Sequence, residues 1–279
     1  MNAASDEQEV YQSQADRRAK QQYRRRVAIG QIAVIVTVIA AWHLGSGRLF
    51  DPFYVGSPIG VAKVLVDDFG DPRFWNDLRV TGTEMTLGYL VGGLSGIALG
   101  ILFARWRLAA DIFDPFFTGL NSLPRIALAP LLVIWFGIDM ASKVVLAATL
   151  VFFLTFFTTL SGIRNVDQAL VDVARLMGAS DRQIFRYVML PGAAAWIING
   201  LKMSLPYALI GVIVGEFLIA SSGLGYRLNL YSTSYNTNGT FAMLLVMMAL
   251  MMGLNALMGL VERHALRWRA ETTATVQPY

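Results

Sequence analysis

The side chains that most often carry catalysis are sparse in this sequence. Its 279 residues include no Cys, which excludes disulfides and thiolate metal sites, and only two His, which lie at the ends of apolar runs. Ser95, in the stretch GLSG, would need a general base beside it to act as a nucleophile, and the predicted span that contains it (81–103) has no His. Paired carboxylates and clusters of metal ligands are also absent from the pattern. We therefore expect no catalytic residue and no metal site in this chain.

The sequence also lacks the motif of a phosphate-binding nucleotide site. The pattern G-x-x-x-x-G-K-[ST], whose backbone N–H groups cradle phosphates, does not occur. This chain is therefore expected to have no cofactor of its own.

The composition is that of a membrane protein. Hydrophobic residues make up 55% of the chain and charged residues 15%, whereas soluble domains usually carry about 25% charged residues. The net charge of +4 does not indicate a nucleic-acid binder, because the charges cluster between apolar runs. Several of these runs are about twenty residues long, the length of a membrane-spanning helix. We predict an all-α polytopic membrane protein with six transmembrane helices, at residues 27–44, 81–103, 115–138, 144–163, 193–219 and 241–261.

The distribution of Lys and Arg predicts how these spans are oriented. With the N-terminus in the cytoplasm, sixteen Lys and Arg fall in inside segments and six in outside segments. Inside segments of membrane proteins are enriched in both residues. Both termini are therefore expected to be cytoplasmic, and the first apolar run is expected to be an uncleaved span rather than a signal peptide.

The spans divide the chain into four parts. Residues 1–26 are expected to form a disordered polar tail, and residues 263–279 a second cytoplasmic tail. Residues 27–80 hold the first span and an external segment at the membrane interface. Residues 81–262 form the core of the bundle, which includes a cytoplasmic loop at 164–192.

Glycines recur every four residues along the second span. They are Gly88, Gly92, Gly96 and Gly100, which form three overlapping G-x-x-x-G units on one helix face. Such a face lets two membrane helices approach closely. It can serve static packing or a surface that slides, and the spacing does not distinguish the two.

Five residues interrupt the apolar pattern and are candidates for the translocation pathway or its gate. Asn121, Pro124 and Arg125 precede an apolar stretch too short to cross the membrane alone, so the third span is expected to bend at Pro124 or to be broken. Lys202 and Glu216 lie in the fifth span. Each has a structural alternative, because Lys202 can extend to the membrane surface and Glu216 can form a structural pair.

The cytoplasmic loop begins with an amphipathic helix. Asn165 and Gln168 form a plausible cap pair, and apolar residues then recur at three- and four-residue steps along one face. Gly178 is expected to end this helix in a left-handed conformation.

A second, short helix follows in the same loop. Ser180 and Gln183 match the S-x-x-Q capping box, Ile184 and Phe185 begin an apolar face, and Pro191 is expected to stop the helix. The result is a rigid hairpin with two apolar faces. These faces can rest on lipid and on the bundle, or dock into a groove of a partner protein, and spacing alone does not decide.

The order of residues in this hairpin resembles the EAA loop of permease subunits of ATP-binding-cassette importers, whose pattern is E-A-A-x3-G-x9-I-x-L-P. Ala174, Gly178, Leu190 and Pro191 match that pattern, and Asp172 keeps the charge of its Glu. Val replaces the second-position Ala and the Ile of the pattern, changes that keep the size class and the spacing.

Three further stretches resemble the nitrate, sulfonate and taurine branch of these permeases. They are SP at residues 57–58, ALAPLLVIWFGI at 127–138 and GEFLIASSGLGY at 215–226. The likeness covers roughly residues 55–270.

The resemblance implies a type I importer bundle in the bacterial inner membrane, with a division of labour. Two copies of the permease would form the pathway at their interface, and two cytoplasmic ATPases would bind ATP and Mg²⁺. A periplasmic or lipid-anchored solute-binding protein would deliver a small solute, here an anion of the sulfonate, taurine or nitrate kind. Arg125 and Lys202 are compatible with an anion.

The resemblance also implies which part of this chain would contact the ATPase. In the family, the EAA loop supplies a coupling helix that sits in a groove on the ATPase, which places that helix at about residues 179–189 of this sequence. The residues implied in coupling are Asp172, Ala174, Gly178, Ala179, Ser180, Ile184, Phe185, Leu190 and Pro191.

Two other classes of membrane protein compete with this interpretation. A secondary transporter or channel, without an ATPase partner, should show inverted repeats with matching interrupted helices in each half, and no such symmetry is visible. A membrane-embedded enzyme is disfavoured because the sequence lacks a catalytic constellation.

Overall fold

The computed structural model describes residues 3–266, and helices account for most of that range. The helices are α1 (Ala3–Gly45), α2 (Pro52–Val55), α3 (Pro58–Gly70), α4 (Pro72–Arg105), α5 (Arg107–Ser122), α6 (Ala129–Phe136), α7 (Met140–Arg164), α8 (Gln168–Leu176), α9 (Asp181–Ile184), α10 (Leu190–Ile219), α11 (Leu224–Thr233) and α12 (Thr237–Ala265). A 3₁₀ turn (Arg125–Leu128) precedes α6, and a π turn (Phe185–Met189) joins α9 to α10.

Five helical segments of the described chain are long and apolar enough to cross a membrane. They are Gln21–Gly45, Pro72–Arg105, Met140–Arg164, Asp181–Ile219 and Thr237–Ala265. A bent pair, Leu108–Ser122 with Arg125–Phe136, makes a sixth crossing if it is counted as one span. The predicted all-α polytopic fold is therefore confirmed.

The third crossing is broken where the sequence predicts a bend. Its two halves meet at an angle of 81°. Leu123 has an extended backbone, with ψ of 137°, and Pro124 follows it. A residue before Pro avoids the helical region because the ring crowds its backbone. The break is thus a local consequence of Pro124.

Helix α1 is longer than its apolar run. Its backbone is helical from Ala3, so it takes in residues 3–26, for which the sequence analysis expects a disordered tail. Ala, Glu, Gln and Arg dominate that stretch, and all four have high helix propensity. The indole of Trp42, near the other end of α1, donates to the carbonyl oxygen of Val55 at 3.0 Å.

The glycine face of α4 packs against α7. A Cβ atom on Gly88 would lie 2.6 Å from the Cβ of Ala147, and one on Gly92 would lie 2.9 Å from the Cα of Ala148. All four glycines of this face are buried. The two backbones are therefore as close as the predicted G-x-x-x-G units allow, and larger side chains do not fit between them.

Helix α10 packs on another side of α7, again through glycines that allow close approach. A Cβ atom on Gly211 would lie 2.6 Å from the Cα of Ala147, and one on Gly200 would meet Thr158. Helix α7 is therefore held between α4 and α10, and its buried residues run along its length.

The first helix of the loop has a different cap from the predicted one. Asp167, rather than Asn165, is the N-cap of α8, and its carboxylate accepts from the N–H of Ala169 at 2.9 Å. The amide of Asn165 instead donates to the carbonyl oxygen of Ser161 at 2.9 Å. Asn165 still sits at the end of α7, so its side chain serves that helix rather than the next one.

The prediction that Pro191 stops the second helix is wrong. The helix runs on through Pro191, and Asp181–Ile219 forms one segment of 39 residues. In a regular α-helix the Pro ring would clash with the carbonyl group of Tyr187. Here the N–H of Leu190 bonds to the oxygen of Phe185, five residues back, which is the wider π pattern. The π turn directly before Pro191 relieves that crowding, so the chain does not have to end its helix.

The close α4–α7 contact predicts that a larger side chain at this interface lowers stability. Changing Gly92 to Leu should lower the thermal stability of the purified protein, because overpacking a closely packed core costs about 1–3 kcal/mol. The measurement is the unfolding temperature in detergent.

The matched control is Gly253→Leu in α12, since nothing lies within 4 Å of a Cβ at Gly253. Equal unfolding temperatures for the two variants would contradict a tight α4–α7 interface.

Candidate coupling and pathway sites

The crossings bring the connecting segments to two ends of the molecule. The hairpin (residues 165–184) lies at one end, which we call the hairpin end. Residues 46–71, 137–139 and 220–236 lie at the other, which we call the far end. Contacts tie the far-end segments together: the guanidinium of Arg227 donates to the carboxylate of Asp68 at 2.7 Å. The N–H of Ser57 donates to the side-chain oxygen of Asn238, in the first turn of α12, at 2.8 Å. The hairpin end and the far end present different chemistry.

The turn of the hairpin requires glycine for its backbone. Gly178 has φ of +83°, the left-handed region, and nothing lies within 4 Å of a Cβ placed there. Its N–H bonds to the oxygen of Arg175 at 2.9 Å, and the N–H of Ala179 bonds to the oxygen of Ala174 at 3.0 Å. These two bonds make a Schellman motif. Three of the residues implied in coupling, Ala174, Gly178 and Ala179, therefore build this turn.

The second half of the hairpin is fixed by its capping residue. The N–H of Ser180 donates to the side-chain oxygen of Gln183 at 2.8 Å, as the S-x-x-Q pattern predicts. Gln183 thereby satisfies a backbone donor at the start of α9.

The charged residues of the hairpin face solvent. The guanidinium of Arg175 lies 3.9 Å from the carboxylates of both Asp172 and Asp181. All three side chains are more than half exposed, so these pairs stabilise the hairpin little. The carboxylate of Asp172 is therefore not held firmly by Arg175 and can bind another group instead.

The apolar residues of the hairpin divide into a buried and an exposed set. Ile184 is 3% exposed and Val171 is buried as well, where α8 packs against α9 and the π turn. Leu176 and Met177 are 88% and 82% exposed. Ile184 thus cannot reach a partner in this conformation, although the resemblance implies it in coupling.

The remaining residues implied in coupling lie in or beside the π turn. Phe185 and Leu190 are partly buried, and Pro191 is exposed. Leu176 and Met177 are not among the coupling residues predicted from the sequence. One pattern in the sequence could have identified them. The end of a helix before a glycine turn is usually exposed to water, so two large apolar residues at that place indicate a contact with another molecule.

The three candidates of the third crossing form one group. The guanidinium of Arg125 donates to the backbone oxygen of Asn121 at 3.0 Å and also bonds to its side-chain oxygen. It lies over the ring of Phe153, 4.3 Å from the centroid. Pro124 makes the break beside them. The structure therefore gathers Asn121, Pro124 and Arg125 at the bend, with the charge of Arg125 supported by acceptors and a ring face.

Lys202 lies apart from that group. Its amine forms an ion pair with Glu262 of α12 at 2.7 Å, and both side chains are partly exposed. The pair links α10 to α12, which accounts for the charge of Lys202 without a role in the pathway.

Glu216 is fully buried inside the bundle. Its carboxylate accepts from the hydroxyl of Thr81 at 2.7 Å and from the N–H of Gly225 at 2.7 Å. It therefore holds the segment between α10 and α11 against α4. This is the structural alternative that the sequence left open.

A cluster at the far end was not predicted from the sequence. The guanidinium of Arg227 pairs with three carboxylates, those of Asp68 at 2.7 Å, Asp77 at 2.9 Å and Asp71 at 3.1 Å. The hydroxyl of Tyr231 donates to Asp68 at 2.7 Å. These five residues, which we call the Arg227 cluster, join α3, α4 and α11.

The charges of the Arg227 cluster shift the pKa values of its members. Burial alone would lower the pKa of Arg227, but its hydrogen bonds to Asp77 and Asp71, with the charges of Asp77 and Asp68, raise it above its ordinary value. Burial, with the hydrogen bond to Asp68, raises the pKa of Tyr231 to about 12. The pKa of Asp71 is lowered, first by its bond to the N–H of Arg73 and then by Arg227. Near neutral pH, Arg227 therefore stays protonated, Asp71 stays ionised and the hydroxyl of Tyr231 keeps its proton.

The chain resembles curated proteins along most of its length. It is 30% identical to a putative aliphatic sulfonates transport permease, SsuC of Bacillus subtilis, over 83% of this chain and 84% of that protein. It is 29% identical to the taurine transport system permease TauC of Escherichia coli, over 88% and 90%. It is also 30% identical to the formylaminopyrimidine transport permease ThiX of Halalkalibacterium halodurans, over 83% and 92%.

Solved structures share its fold. A methionine ABC transporter, MetNI, in an inward-facing conformation, matches with a TM-score of 0.53 and 20% identity, over 73% of this chain and 96% of that one. An amino acid ABC transporter crystallised with histidines matches with a TM-score of 0.58 and 18% identity, over 74% and 96%. The predicted importer-permease architecture is thereby confirmed at the level of the fold.

One family model covers most of the bundle and the hairpin. The description of that family is "Binding-protein-dependent transport system inner membrane component", and it matches residues 96–267. Together with the 30% identity to a sulfonate permease, this match shows that the chain belongs to the family of inner-membrane permease components of binding-protein-dependent transport systems.

Proposed function

We propose that this chain is the permease subunit of an ATP-driven, binding-protein-dependent importer of a small solute that carries an anionic group, of the sulfonate, taurine or nitrate kind. Family membership supports the permease role, and relatives named for sulfonate and taurine transport support the solute class. The observation that carries the proposal is the hairpin: two large apolar side chains, Leu176 and Met177, project beside a rigid turn.

The hairpin supplies what a chain without an ATP site needs from a partner. An ATPase dimer would hold ATP and Mg²⁺, and a groove on each ATPase would bury Leu176 and Met177 as they leave water. Asp172 is exposed and only weakly paired, so it is available for a polar contact at the rim of that groove.

Movement of the ATPase would reach the bundle along one helix. The segment Asp181–Ile219 starts in the hairpin and spans roughly 58 Å at 1.5 Å per residue. It ends just beyond Glu216, which holds the segment before α11. The π turn (Phe185–Met189) is the point where this helix departs from regular geometry, and such turns frequently occur at functional sites. A shift of the hairpin is therefore coupled to the far end.

The arrangement in the membrane follows from this role. The hairpin end faces the cytoplasm with both termini, and the far end faces the solute-binding protein. Two copies of the chain form a homodimer with the pathway at their interface, to which the group around Arg125 contributes. Part of the exposed apolar surface of α5 and α6 is then covered by the second copy and the rest by lipid.

The docking surface can be tested by co-purification. Changing Leu176 and Met177 together to Ser should abolish recovery of the ATPase with the tagged permease, because the apolar contact is lost. The control is Leu49→Ser, since Leu49 is 80% exposed at the far end. Full ATPase recovery with the double variant would overturn the proposed surface. Ion-driven uptake by the permease without an ATPase would overturn the importer role.

The left-handed turn at Gly178 can be tested by its effect on uptake. Changing Gly178 to Val should leave the protein in the membrane but reduce ATP-dependent uptake on the order of tenfold or more, because a β-branched residue at φ of +83° carries about 1–3 kcal/mol of strain. Gly178→Asn should retain more uptake, since Asn tolerates this conformation.

Uptake is measured in membrane vesicles that contain the complete importer. Gly259→Val is the control, because nothing lies within 4 Å of a Cβ there and its backbone φ is not positive. Equal uptake by the Val and Asn variants at position 178 would show that the left-handed turn is not needed.

A further inference from the structure

Two buried carboxyl groups face each other inside the bundle, near the far end. Glu84 of α4 is 2% exposed, and Glu216 of α10 is fully buried. Oε1 of Glu84 holds the ammonium group of Lys143, from the first turn of α7. Its other oxygen, Oε2, stands against the carboxyl of Glu216, within hydrogen-bond reach. Helices α4, α7 and α10 therefore each bring one ionisable group to the same point.

The contact between the two carboxyls lacks a donor. Oε2 of Glu84 is buried and accepts no hydrogen bond within the described part of the chain. The nearby donors, the hydroxyl of Thr81 and the N–H of Gly225, are both used by Glu216. An ionised carboxylate can only accept, so two ionised carboxylates cannot bond to each other. One proton on either carboxyl turns this contact into an O–H···O hydrogen bond.

The balance of charge requires the same proton. Glu84 and Glu216 face a single ammonium group, that of Lys143, so one negative charge is left uncompensated when both carboxyls are ionised. Two like charges in one buried site disfavour the ionisation of both, and an unpaired buried charge is costly. A single proton makes the group of three neutral.

The other charged groups on the packed helices do not supply the missing positive charge. The guanidinium of Arg227, on α11, is engaged by three carboxylates, among them that of Asp77 on α4. Arg79 of α4 is exposed, and so is Asp139, directly before α7. Among the described residues, no second cation lies within salt-bridge distance of either buried carboxyl.

A cavity of about 480 Å³ leads to this group from the far end. Glu84 and Lys143 belong to its lining, together with the exposed side chains of Arg79 and Asp139. A proton can therefore be exchanged with the solution at the far end without crossing the hydrocarbon of the membrane.

The Glu216 carboxyl also holds a piece of backbone in place. It accepts from the N–H of Gly225, and its partner Thr81 accepts in turn from the N–H of Leu224 at 2.8 Å. These residues lie at the end of the connection between α10 and α11, residues 220–225. A displacement of the Glu216 carboxyl would therefore release that connection from α4.

We propose that Glu84 and Glu216 share one proton, which bonds the two carboxyls to each other and keeps the connection between α10 and α11 fixed against α4. The proton is taken from water at the far end and is returned there. Its loss leaves two facing carboxylates, whose repulsion separates them and frees residues 220–225. This site responds to the pH at the far end, whichever solute the permease carries.

Infrared spectroscopy of the full-length permease in lipid nanodiscs detects the proton directly, because a protonated carboxyl has a C=O band that a carboxylate lacks. An exposed Glu is ionised above about pH 4, so a band that remains at about pH 7 reports a retained proton. Glu84→Gln and Glu216→Gln should each remove this band. The absence of such a band from the unaltered permease would overturn the proposal without any variant.

The Gln variants are chosen because they imitate the protonated pair. A Gln amide both donates and accepts, so either variant keeps a hydrogen bond between the two side chains and the neutral charge balance. Each variant is an independent test if the other fails to fold. The matched control is Asp139→Asn at the exposed mouth of the same cavity, which should retain the band.

The shared proton also makes stability depend on pH. Above the pH at which an exposed Glu ionises, the folded protein holds a proton that the unfolded chain has lost, so a rising pH favours unfolding. From about pH 5 to about pH 9, the unfolding temperature should fall by at least about 3 °C more for the unaltered permease than for Glu216→Gln. Asp139→Asn should behave as the unaltered permease does.

Equal falls for the unaltered permease and both Gln variants would overturn the shared proton. An unfolding temperature that depends on Na⁺ and not on pH would overturn it as well, because a metal ion would then lie between the carboxyls.

Amide hydrogen exchange tests the effect on the connection. At about pH 9, residues 217–226 should exchange faster in the unaltered permease than in Glu216→Gln, whereas the two should agree at about pH 5. Each comparison is made at one pH, so the chemical dependence of exchange on pH cancels. Equal exchange at both pH values would show that the proton does not hold this connection.

Discussion

The close contact between α4 and α7 is the constraint on which the rest of the structure depends. In lipid, apolar side chains gain little by moving from lipid to protein, so helices associate through close packing. The glycine face of α4, from Gly88 to Gly100, removes the side chains that would keep the two backbones apart. Gly211 of α10 does the same on another side of α7. This arrangement fixes α10, and α10 in turn fixes the hairpin at one end and Glu216 at the other.

The continuity of the segment Asp181–Ile219 joins two regions that the sequence presents as separate. A hairpin closed by Pro191 would be a loop beside the bundle, whereas a π turn before Pro191 makes its second half the first part of a transmembrane helix. A rigid element of this kind can transmit a displacement, which a flexible loop cannot. Two sites in a protein are coupled when an element between them has two arrangements and each site makes different contacts in the two.

The polar groups within the bundle hold segments of the chain together. Most are satisfied by partners from other helices, as Glu216 is by Thr81 and Gly225, and these bonds hold segments that have few apolar contacts. A buried polar group in a membrane protein needs such a partner, because lipid offers none. The exceptions in the described part of the chain are spread over the bundle: they are Oδ2 of Asp68, Oε2 of Glu84, Nε of Arg125 and Oγ1 of Thr159. Asp68 and Glu84 each use their other carboxylate oxygen in an ion pair.

Local patterns in the sequence are enough to predict the features that neighbouring residues control. Apolar runs predict spans, Pro124 predicts the break in the third crossing, and Gly178 predicts a left-handed turn, because each follows from neighbouring residues or backbone sterics. Contacts between residues far apart in the chain become visible only in the folded molecule. The guanidinium of Arg227 meets Asp68, which is 159 positions away in the chain, and no local pattern indicates that pair. Ile184 likewise turned inward while Leu176 stayed exposed, since the packing of α8 against α9 and the π turn determines which apolar face is left for a partner.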